Sequence, residues 1–268
     1  MIRLAVAGAA GRMGKTILSL AAKDSEFKIA AGFETKDNPS LGVDIGQLIG
    51  QNSLGVPVTQ DIAAGLKAVD VLIDFTHFST TRTYLESALK NKTGYVIGTT
   101  ALEAQTLEAI QKASKEIAIV QSPNMSIGVN LLFKLAEITA KALDESYDIE
   151  ITETHHRMKK DAPSGTAVKL LEIIAGARKR DLKKDVVTGR DGEIGARKRG
   201  QIGALALRGG DVVGDHTVFF LGDGERIELT HRASSREAFA QGALRAAKFI
   251  AKFKNGLYNM QQVLGIDV

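Results

Sequence analysis

The stretch Val6-Ala7-Gly8-Ala9-Ala10-Gly11-Arg12-Met13-Gly14 follows an apolar run and leads into an amphipathic segment. Glycines in such a turn let the backbone approach a ligand closely, because they carry no side chain. The N–H groups and the positive end of the helix that follows then favour a pyrophosphate. Strand, turn and helix in this order therefore predict a dinucleotide-binding unit, although glycines spaced three apart are not the common fingerprint of such units.

A second interpretation of the same stretch is open, because Gly14-Lys15-Thr16 is similar to the end of the phosphate-binding loop of nucleoside triphosphatases. Asp74, at the end of an apolar run, would then hold the metal. That loop needs its first glycine at position 9, where this chain has Ala9. Glu34 ends the second predicted strand, about twenty residues after the glycines, where an acid can bind ribose hydroxyls. Both observations favour the dinucleotide over the triphosphate.

The residues beside Glu34 bear on the choice between NADH and NADPH. A carboxylate at this position repels the 2′-phosphate of NADPH, while Lys36 is near enough in sequence to offset part of that repulsion. We therefore expect both cofactors to be accepted, with NADH at least as good as NADPH.

Apolar runs alternate with amphipathic stretches over the first half of the chain, which is typical of a parallel sheet covered by helices. Strands are predicted at residues 2–7, 28–33, 69–75, 94–97 and 117–121, and helices at 13–23, 79–90, 102–114 and 126–143. The second half predicts strands at 147–153, 203–208, 217–221 and 226–231, a hairpin turn at 222–224 and a last helix at 235–254. The predicted fold class is α/β, with a Rossmann-type parallel sheet domain plus a mixed α/β domain.

The composition excludes several classes of protein. A chain of 268 residues with 44% hydrophobic and 25% charged residues is globular, with two domains or one large one. Because it has no cysteine, disulfide frameworks, thiolate nucleophiles and thiolate-bound metal centres are excluded. No apolar run approaches the roughly eighteen residues of a membrane span, and the first residues do not have the pattern of a signal peptide. The net charge of +4 is small and aromatic residues make up 5%, so we expect neither a nucleic-acid partner nor a membrane.

Two polar segments follow predicted strands of the first domain. Gly98, Thr99 and Thr100 come after the strand at 94–97. The other segment, after the strand at 117–121, consists of Ser122, Pro123, Asn124 and Met125. Because ligands bind at the carboxyl ends of strands in doubly wound sheets, both segments are candidates for the cofactor site.

Residues 153–167 hold the densest group of chemically useful side chains. His155, His156, Lys159 and Lys160 can supply protons and positive charge near neutral pH. The turn at 163–166 leads into a helical pattern, and a helix that begins with small hydroxyl residues can bind a carboxylate.

The histidines are not expected to bind a metal, and three of them are interpreted as structural residues. Adjacent His side chains on a strand point to opposite faces, so no metal site is expected at His155 and His156. His77, His216 and His231 have no comparable neighbours in sequence, and we interpret them as structural residues with satisfied hydrogen bonds.

The glycine stretch, Glu34, residues 98–100 and residues 155–166 together resemble the dihydrodipicolinate reductase family. Residues 209–216 and 231–236 extend the resemblance over essentially the whole chain. It implies a cytoplasmic homotetramer that uses NADH or NADPH to reduce a small dicarboxylate, the cyclic imine 4-hydroxy-tetrahydrodipicolinate, to tetrahydrodipicolinate in the diaminopimelate route to lysine. It also implies a dinucleotide-binding domain of residues 1–125 with 235–268, and a substrate-binding and tetramerisation domain of residues 126–234.

The resemblance implies roles for residues that match the family pattern. Pyrophosphate contacts fall on Gly8, Ala9, Ala10, Gly11, Arg12 and Met13, the ribose contact on Glu34, and nicotinamide contacts on Gly98, Thr99, Thr100, Ser122, Pro123, Asn124 and Met125. His155 and Lys159 match the acid/base positions, and His156, Gly165 and Thr166 match the substrate contacts.

Two positions depart from the family pattern. Members that use NADPH well often have Arg directly after the ribose-binding acid, where this chain has Thr35. His77 stands where Arg is often found, so contacts near the nicotinamide can differ.

The chemistry agrees with these residue types. Hydride addition to a conjugated imine leaves electron density on nitrogen, which either His155 or Lys159 can protonate. A non-catalytic regulator that senses a dinucleotide is the alternative, and it would tolerate the loss of His155.

Overall fold

A computed structural model describes residues 1–266 of the chain. Within them the strands are β1 (Ile2–Ala7), β2 (Phe27–Phe33), β3 (Val58–Thr59), β4 (Val71–Asp74), β5 (Gly94–Ile97), β6 (Ala118–Gln121), β7 (Asp148–His155), β8 (Val186–Val187), β9 (Ile202–Arg208), β10 (Gly214–Leu221), β11 (Arg226–Ala233) and β12 (Gly256–Tyr258). The helices are α1 (Arg12–Ala21), α2 (Ile45–Leu48), α3 (Ile62–Gly65), α4 (Phe78–Asn91), α5 (Ala104–Ala113), α6 (Ile127–Ala142), α7 (Gly165–Arg178), α8 (Glu237–Ile250) and α9 (Met260–Leu264).

The chain divides into two compact units, Met1–Ile127 with Arg236–Val268, and Gly128–Ser235. In the first unit seven strands form one sheet in the order β12-β6-β5-β4-β1-β2-β3, and every neighbouring pair is parallel. β1 pairs with both β2 and β4, so the strand order reverses there. Such a reversal opens a crevice at the carboxyl ends of the strands, where doubly wound folds bind ligands.

Apolar residues cover both faces of this parallel sheet. Side chains of α1 and α8 pack on one face, with Ile17, Leu18 and Ala243 fully buried. Residues of α4 and α5 pack on the other face, including Leu85 and Ile110. Helices thus bury both faces of the strands, which agrees with the continuous apolar runs in the sequence and is typical of parallel sheets.

The second unit contains a mixed sheet in the order β11-β10-β7-β9-β8. β10 pairs antiparallel with β7 and β11, whereas β9 pairs parallel with β7 and β8. α6 and α7 cover one face, where Phe133, Leu170, Ile174 and Phe220 form the core. The predicted fold class, a Rossmann-type sheet plus a mixed α/β unit, is confirmed.

Several predicted bounds are wrong. β7 continues to His155, two residues beyond the predicted end at 153, so His155 belongs to a strand. The last predicted helix, 235–254, is replaced by α8, which ends at Ile250, followed by β12 and α9. β12 adds to the edge of the parallel sheet through three residues, too few for an alternating pattern to be recognised in the sequence. Among residues 1–266, no helix is long and apolar enough to cross a membrane.

Candidate functional site

The glycine turn lies between the end of β1 and the start of α1. Gly8 has φ +68°, a left-handed conformation that favours glycine. A Cβ at Gly14 would lie 2.0 Å from the carbonyl oxygen of Gly8, so glycine is needed for the helix to pack this close to the turn. No side chain caps the N-terminus of α1 at Gly11. The N–H groups of Gly8, Ala9 and Gly11 donate to carbonyls within the fold, so the turn offers a pyrophosphate its close approach and the start of α1.

Glu34 follows β2, the neighbour of β1, and its carboxylate faces the glycine turn. Oε1 of Glu34 accepts a hydrogen bond of 2.8 Å from the backbone N–H of Ala10. The structure therefore brings Glu34 together with the glycine turn, as the dinucleotide interpretation requires. Ala9 is fully buried, while Arg12 and Gly11 are exposed beside the turn. Lys36 and Thr35 are exposed after Glu34.

Asp74, at the end of β4, is fully buried and surrounded by hydroxyl groups. One carboxylate oxygen accepts from Tyr95 Oη at 2.6 Å and Thr81 Oγ1 at 3.3 Å. The other accepts from Thr76 Oγ1 at 2.6 Å, the Thr76 backbone N–H at 2.8 Å and Thr99 Oγ1 at 3.1 Å. With its oxygens engaged by these donors, Asp74 is unsuited to hold a metal, which argues against the nucleoside triphosphatase interpretation.

The two predicted nicotinamide segments lie where the sequence places them, after β5 and after β6. The Thr99 hydroxyl contacts Asp74, and the Ser122 hydroxyl donates to the carbonyl of Asn124 at 2.8 Å. Met125 is buried in the core of the unit, whereas Thr100 is exposed. Several of these side chains therefore shape the loops, whereas Thr100 is exposed.

In the second unit, a cluster of polar groups forms at the end of β7. Glu153 and His155 are two positions apart on this strand and share a face, and both are buried. His155 Nδ1 lies 2.5 Å from Oε2 of Glu153. Arg208, the register partner of His155 on β9, donates to both oxygens of Glu153 at 2.8 Å. Neither Glu153 nor Arg208 is among the functional residues that the sequence predicts.

His216 on β10 belongs to the same cluster, and the expectation of satisfied hydrogen bonds is wrong for it. Its ring centroid lies 5.1 Å from that of His155 in an edge-to-face arrangement. Nε2 of His216 is 3.1 Å from Oγ of Ser164, while Nδ1 is buried with no hydrogen-bond partner. Burial and the neighbouring charge of His155 lower the pKa of His216 to about 4. The sequence places these histidines more than fifty residues apart, and the pairing of β7 with β10 brings them together.

The other two structural histidines behave differently from each other. His77 caps α4, since Nδ1 accepts from the backbone N–H of Ser79. His231 packs against Gly128, where a Cβ would lie 2.6 Å from the ring, and its Nδ1 is buried with no hydrogen-bond partner. The expectation of satisfied hydrogen bonds is therefore wrong for His231.

Lys159 lies in the loop between β7 and α7 and forms an ion pair. Its ammonium nitrogen is 2.9 Å from both carboxylate oxygens of Asp161. His156 follows β7, and its backbone N–H donates to the carbonyl of Val212 at 2.7 Å. The loop is thereby held beside the end of the sheet, with the Lys159 side chain 20% exposed.

α7 begins directly after this loop, at the positions predicted to contact substrate. Ser164 is its N-cap and accepts from the backbone N–H of Ala167 at 3.2 Å. Gly165 is exposed and Thr166 half-buried, so the first turn of α7 faces the surface; the turn itself contains no acidic residue, and Oε1 of Glu153 accepts from the N–H of the N-cap Ser164. A helix N-terminus of this kind favours a carboxylate.

Burial and nearby charges shift the pKa values of His155 and Glu153. Burial lowers the pKa of His155, and the positive charges of Lys159 and Arg208 act in the same direction, while Glu153 opposes them. Burial raises the pKa of Glu153, but its hydrogen bonds with Arg208, His155 and the Ser164 N–H outweigh this, and the net pKa is lowered. Among residues 1–266, no three His, Asp or Glu side chains come together as a metal site would require.

Comparison with known proteins finds one family over both units. Family models described as dihydrodipicolinate reductase, N-terminus and C-terminus, match residues 2–125 and 128–264. A 4-hydroxy-tetrahydrodipicolinate reductase of Dechloromonas aromatica (strain RCB) is 50% identical over 264 residues, 98% of this chain and 98% of the relative. That of Nitrosomonas europaea is 48% identical over 265 residues, 99% of this chain and 98% of the relative.

Solved structures share the fold. A dipicolinate-bound dihydrodipicolinate reductase from Paenisporosarcina sp. TG-14 superimposes with a TM-score of 0.76 at 24% identity and covers 98% of each chain. A probable dehydrogenase from Thermotoga maritima gives a TM-score of 0.64 at 12% identity, covering 99% of this chain and 94% of its own.

Proposed function

Because this chain belongs to the dihydrodipicolinate reductase family and is an oxidoreductase, we propose that it reduces 4-hydroxy-tetrahydrodipicolinate to tetrahydrodipicolinate. The observation that carries this proposal is the match of reductases of that name along 98% of the chain at 50% identity. The reaction belongs to the diaminopimelate route to lysine. A non-catalytic regulator is disfavoured by the same match.

The cofactor in this proposal is NADH or NADPH, which supplies a hydride when bound. The turn from Gly8 to Met13 holds the pyrophosphate through backbone N–H groups at the start of α1. The Glu34 carboxylate binds the adenosine ribose, and its present partner is the N–H of Ala10. The loops at 98–100 and 122–125 border the nicotinamide. No Arg follows Glu34, so NADH serves at least as well as NADPH.

The substrate site in this proposal lies at the end of β7 and the start of α7. The substrate is a small dicarboxylate, and Lys159 with the first turn of α7 at Gly165 and Thr166 provides positive charge and N–H groups for its carboxylates. His156 provides a further contact. The 4-hydroxyl leaves as water, hydride adds to the resulting conjugated imine, and His155 or Lys159 protonates the ring nitrogen; the lowered pKa of His155 makes its protonated form a stronger acid.

The proposal also includes a cytoplasmic homotetramer. Its support is the face of the mixed sheet opposite α6 and α7. Register places Leu205 and Leu207 beside Thr152 and Thr154 on this face, and Leu207 is 52% exposed. Exposed apolar residues on a sheet face favour self-association. Light scattering tests the assembly: a mass near four times 28.6 kDa is expected, and a monomer would contradict it.

The reaction is tested by NADH and NADPH oxidation at 340 nm. The imine is supplied by coupled condensation of pyruvate with aspartate semialdehyde. Substrate-dependent oxidation is expected with both cofactors. Folded protein that binds NADH without oxidising it in the presence of the imine would overturn the proposed activity.

A further inference from the structure

Glu153, which is buried, and Arg208, which is partly exposed, form an ion pair to which the mechanism above gives no role. We propose that this pair positions the acid of the reaction: Glu153 fixes the ring and tautomer of His155, and Arg208 fixes Glu153. The inference rests on the proposed function, because it concerns how His155 delivers its proton. Both members are positioning residues, since each acts through His155.

The geometry of Glu153 determines which nitrogen of His155 carries the exchanging proton. Oε2 faces Nδ1 of His155 at 2.5 Å and Nη1 of Arg208 at 2.8 Å. An ionised carboxylate can only accept hydrogen bonds, so Nδ1 of His155 is the donor. Nε2 is then left to gain and lose the proton.

Gly214 on β10 leaves room beside that nitrogen. A Cβ at this position would lie 3.1 Å from Nε2 of His155, and glycine has none. The ring is thus held at Nδ1, while Nε2 meets no Cβ at position 214, and the neighbouring ring of His216 lies with its centroid 5.1 Å from that of His155. This arrangement suits transfer of a proton to a ligand.

The same pair holds the two neighbouring elements of the site. The other oxygen of Glu153, Oε1, accepts from the backbone N–H of Ser164, the N-cap of α7, at 3.0 Å. Nη2 of Arg208 donates to the carbonyl of Asp161 at 2.7 Å, and Asp161 pairs with Lys159. One carboxylate and one guanidinium therefore orient the ring of His155, the loop of Lys159 and the start of α7.

Stability alone is a weak reason for such a pair. Glu153 has a side chain 1% exposed, and burying a charge costs free energy that the ion pair only partly repays. Apolar residues of similar volume often replace buried ion pairs without loss of stability. A positioning role explains why a charged carboxylate is buried at this place and paired with Arg208.

The charges that face His155 make the role measurable. They are Glu153 on its own strand, Arg208 on β9, Lys159 on the loop and His216 on β10. The Glu153 carboxylate raises the pKa of His155, whereas the Arg208 guanidinium lowers it. Removing each member singly therefore shifts the His155 pKa in opposite directions, which general loosening of the structure would not do.

The experiment compares Glu153→Gln and Arg208→Gln in the full-length enzyme. The pKa of His155 is read from NMR titration of its ring protons in the free protein, assigned through His155→Asn. We expect the pKa to fall in Glu153→Gln and to rise in Arg208→Gln. The descending limb of the pH profile of kcat/KM should move in the same directions, and kcat of Glu153→Gln at pH 7 should fall about ten- to a hundredfold with KM changed much less.

Glu150→Gln is the matched control. Glu150 lies on the same strand and also pairs with an arginine through both oxygens, Arg190 at 2.8 and 2.9 Å, but it faces away from His155. This variant should leave the His155 pKa unchanged. Thermal unfolding of all three variants shows whether any effect follows stability.

The outcomes separate this inference from the proposed function. A His155 pKa that stays fixed, or moves in the same direction in both variants, overturns the positioning role, even if the wild type reduces the imine. If Glu153→Gln does not fold, the predicted rise in Arg208→Gln decides alone. A wild type without reductase activity refutes the proposed function, whatever the titrations show.

Discussion

The backbone N–H of Ala10 donates to Oε1 of Glu34 at 2.8 Å, which joins the glycine turn to the end of β2 in the free protein. The carboxylate is therefore already held at the position where an adenosine ribose is bound in dinucleotide folds. A cofactor that enters with hydroxyl groups can share this acceptor, whereas a 2′-phosphate meets its negative charge. The relationship gives a physical basis for the prediction that NADH serves at least as well as NADPH.

Thr35→Arg is predicted to improve NADPH use. Thr35 is exposed directly after Glu34, and an arginine there can form a charge-assisted hydrogen bond with the 2′-phosphate. KM for NADPH should fall about tenfold while KM for NADH changes little. Thr35→Gln, of similar length without the charge, is the control in steady-state assays with both cofactors. An unchanged ratio of the two KM values would show that the ribose lies elsewhere.

His155→Ala and Lys159→Ala are predicted to lose turnover. Each removes a candidate proton donor, a contribution of about a hundred- to ten-thousandfold in kcat. Lys169→Ala, which removes an exposed ion pair with Glu172 on α7, is the control and should keep full activity. Circular dichroism and thermal unfolding verify the folds. Wild-type turnover in both alanine variants would contradict the assignment of the acid and leave Lys159 and His155 as structural residues.

The fold was predictable where patterns are long and local. The apolar run of β1 and the glycine turn are adjacent in sequence, so strand, turn and helix were correct to within two residues. β3 and β12 were missed because they have two and three residues, and edge strands this short pair through backbone groups without any side-chain pattern.

The candidate site was predictable only in part, because its decisive contacts are distant in sequence. Residues 155–166 were identified from their local density of His and Lys. Arg208, 55 residues after Glu153, meets it because β7 and β9 are in register, which no sequence spacing indicates. Glu153 and His155 are two positions apart, as residues on one face of a strand are, and this spacing was a usable signal. The predicted strand ended at 153, two residues too early to include His155.

His216 is predicted to make stability depend on pH in mildly acidic solution. Its pKa is lowered to about 4 in the folded protein, so as pH falls the unfolded chain binds the proton first. Stability is then full above the unfolded pKa of about 6.5 and declines towards pH 4, by about 3 kcal/mol in total. Urea unfolding between pH 4 and 7.5 measures this. His216→Gln, which cannot titrate, should show a flatter dependence, and equal slopes would contradict the buried neutral ring.

Gly14→Ala is predicted to damage the glycine turn. The new Cβ would lie 2.0 Å from the carbonyl oxygen of Gly8 and 2.9 Å from Cα of Ala9, and neither is a flexible side-chain end. The start of α1 must then move away from the turn, at a cost of about 1–3 kcal/mol in the free energy of unfolding. Because the same movement displaces the N–H groups at the helix start, NADH affinity should fall at least about tenfold.

Gly176→Ala is the matched control for this prediction. Gly176 is exposed on α7, and apart from its chain neighbours and the nearby backbone of its own helix nothing lies within 4 Å of the Cβ position. Alanine in a helix interior is favoured over glycine by about 1 kcal/mol, so this variant should be slightly more stable and bind NADH normally. Urea unfolding and titration of NADH fluorescence measure both quantities. If Gly14→Ala had the same stability and NADH affinity as Gly176→Ala, the prediction would be contradicted. The packing of Gly8 against Gly14 would then tolerate a Cβ, and the pyrophosphate would have to bind elsewhere.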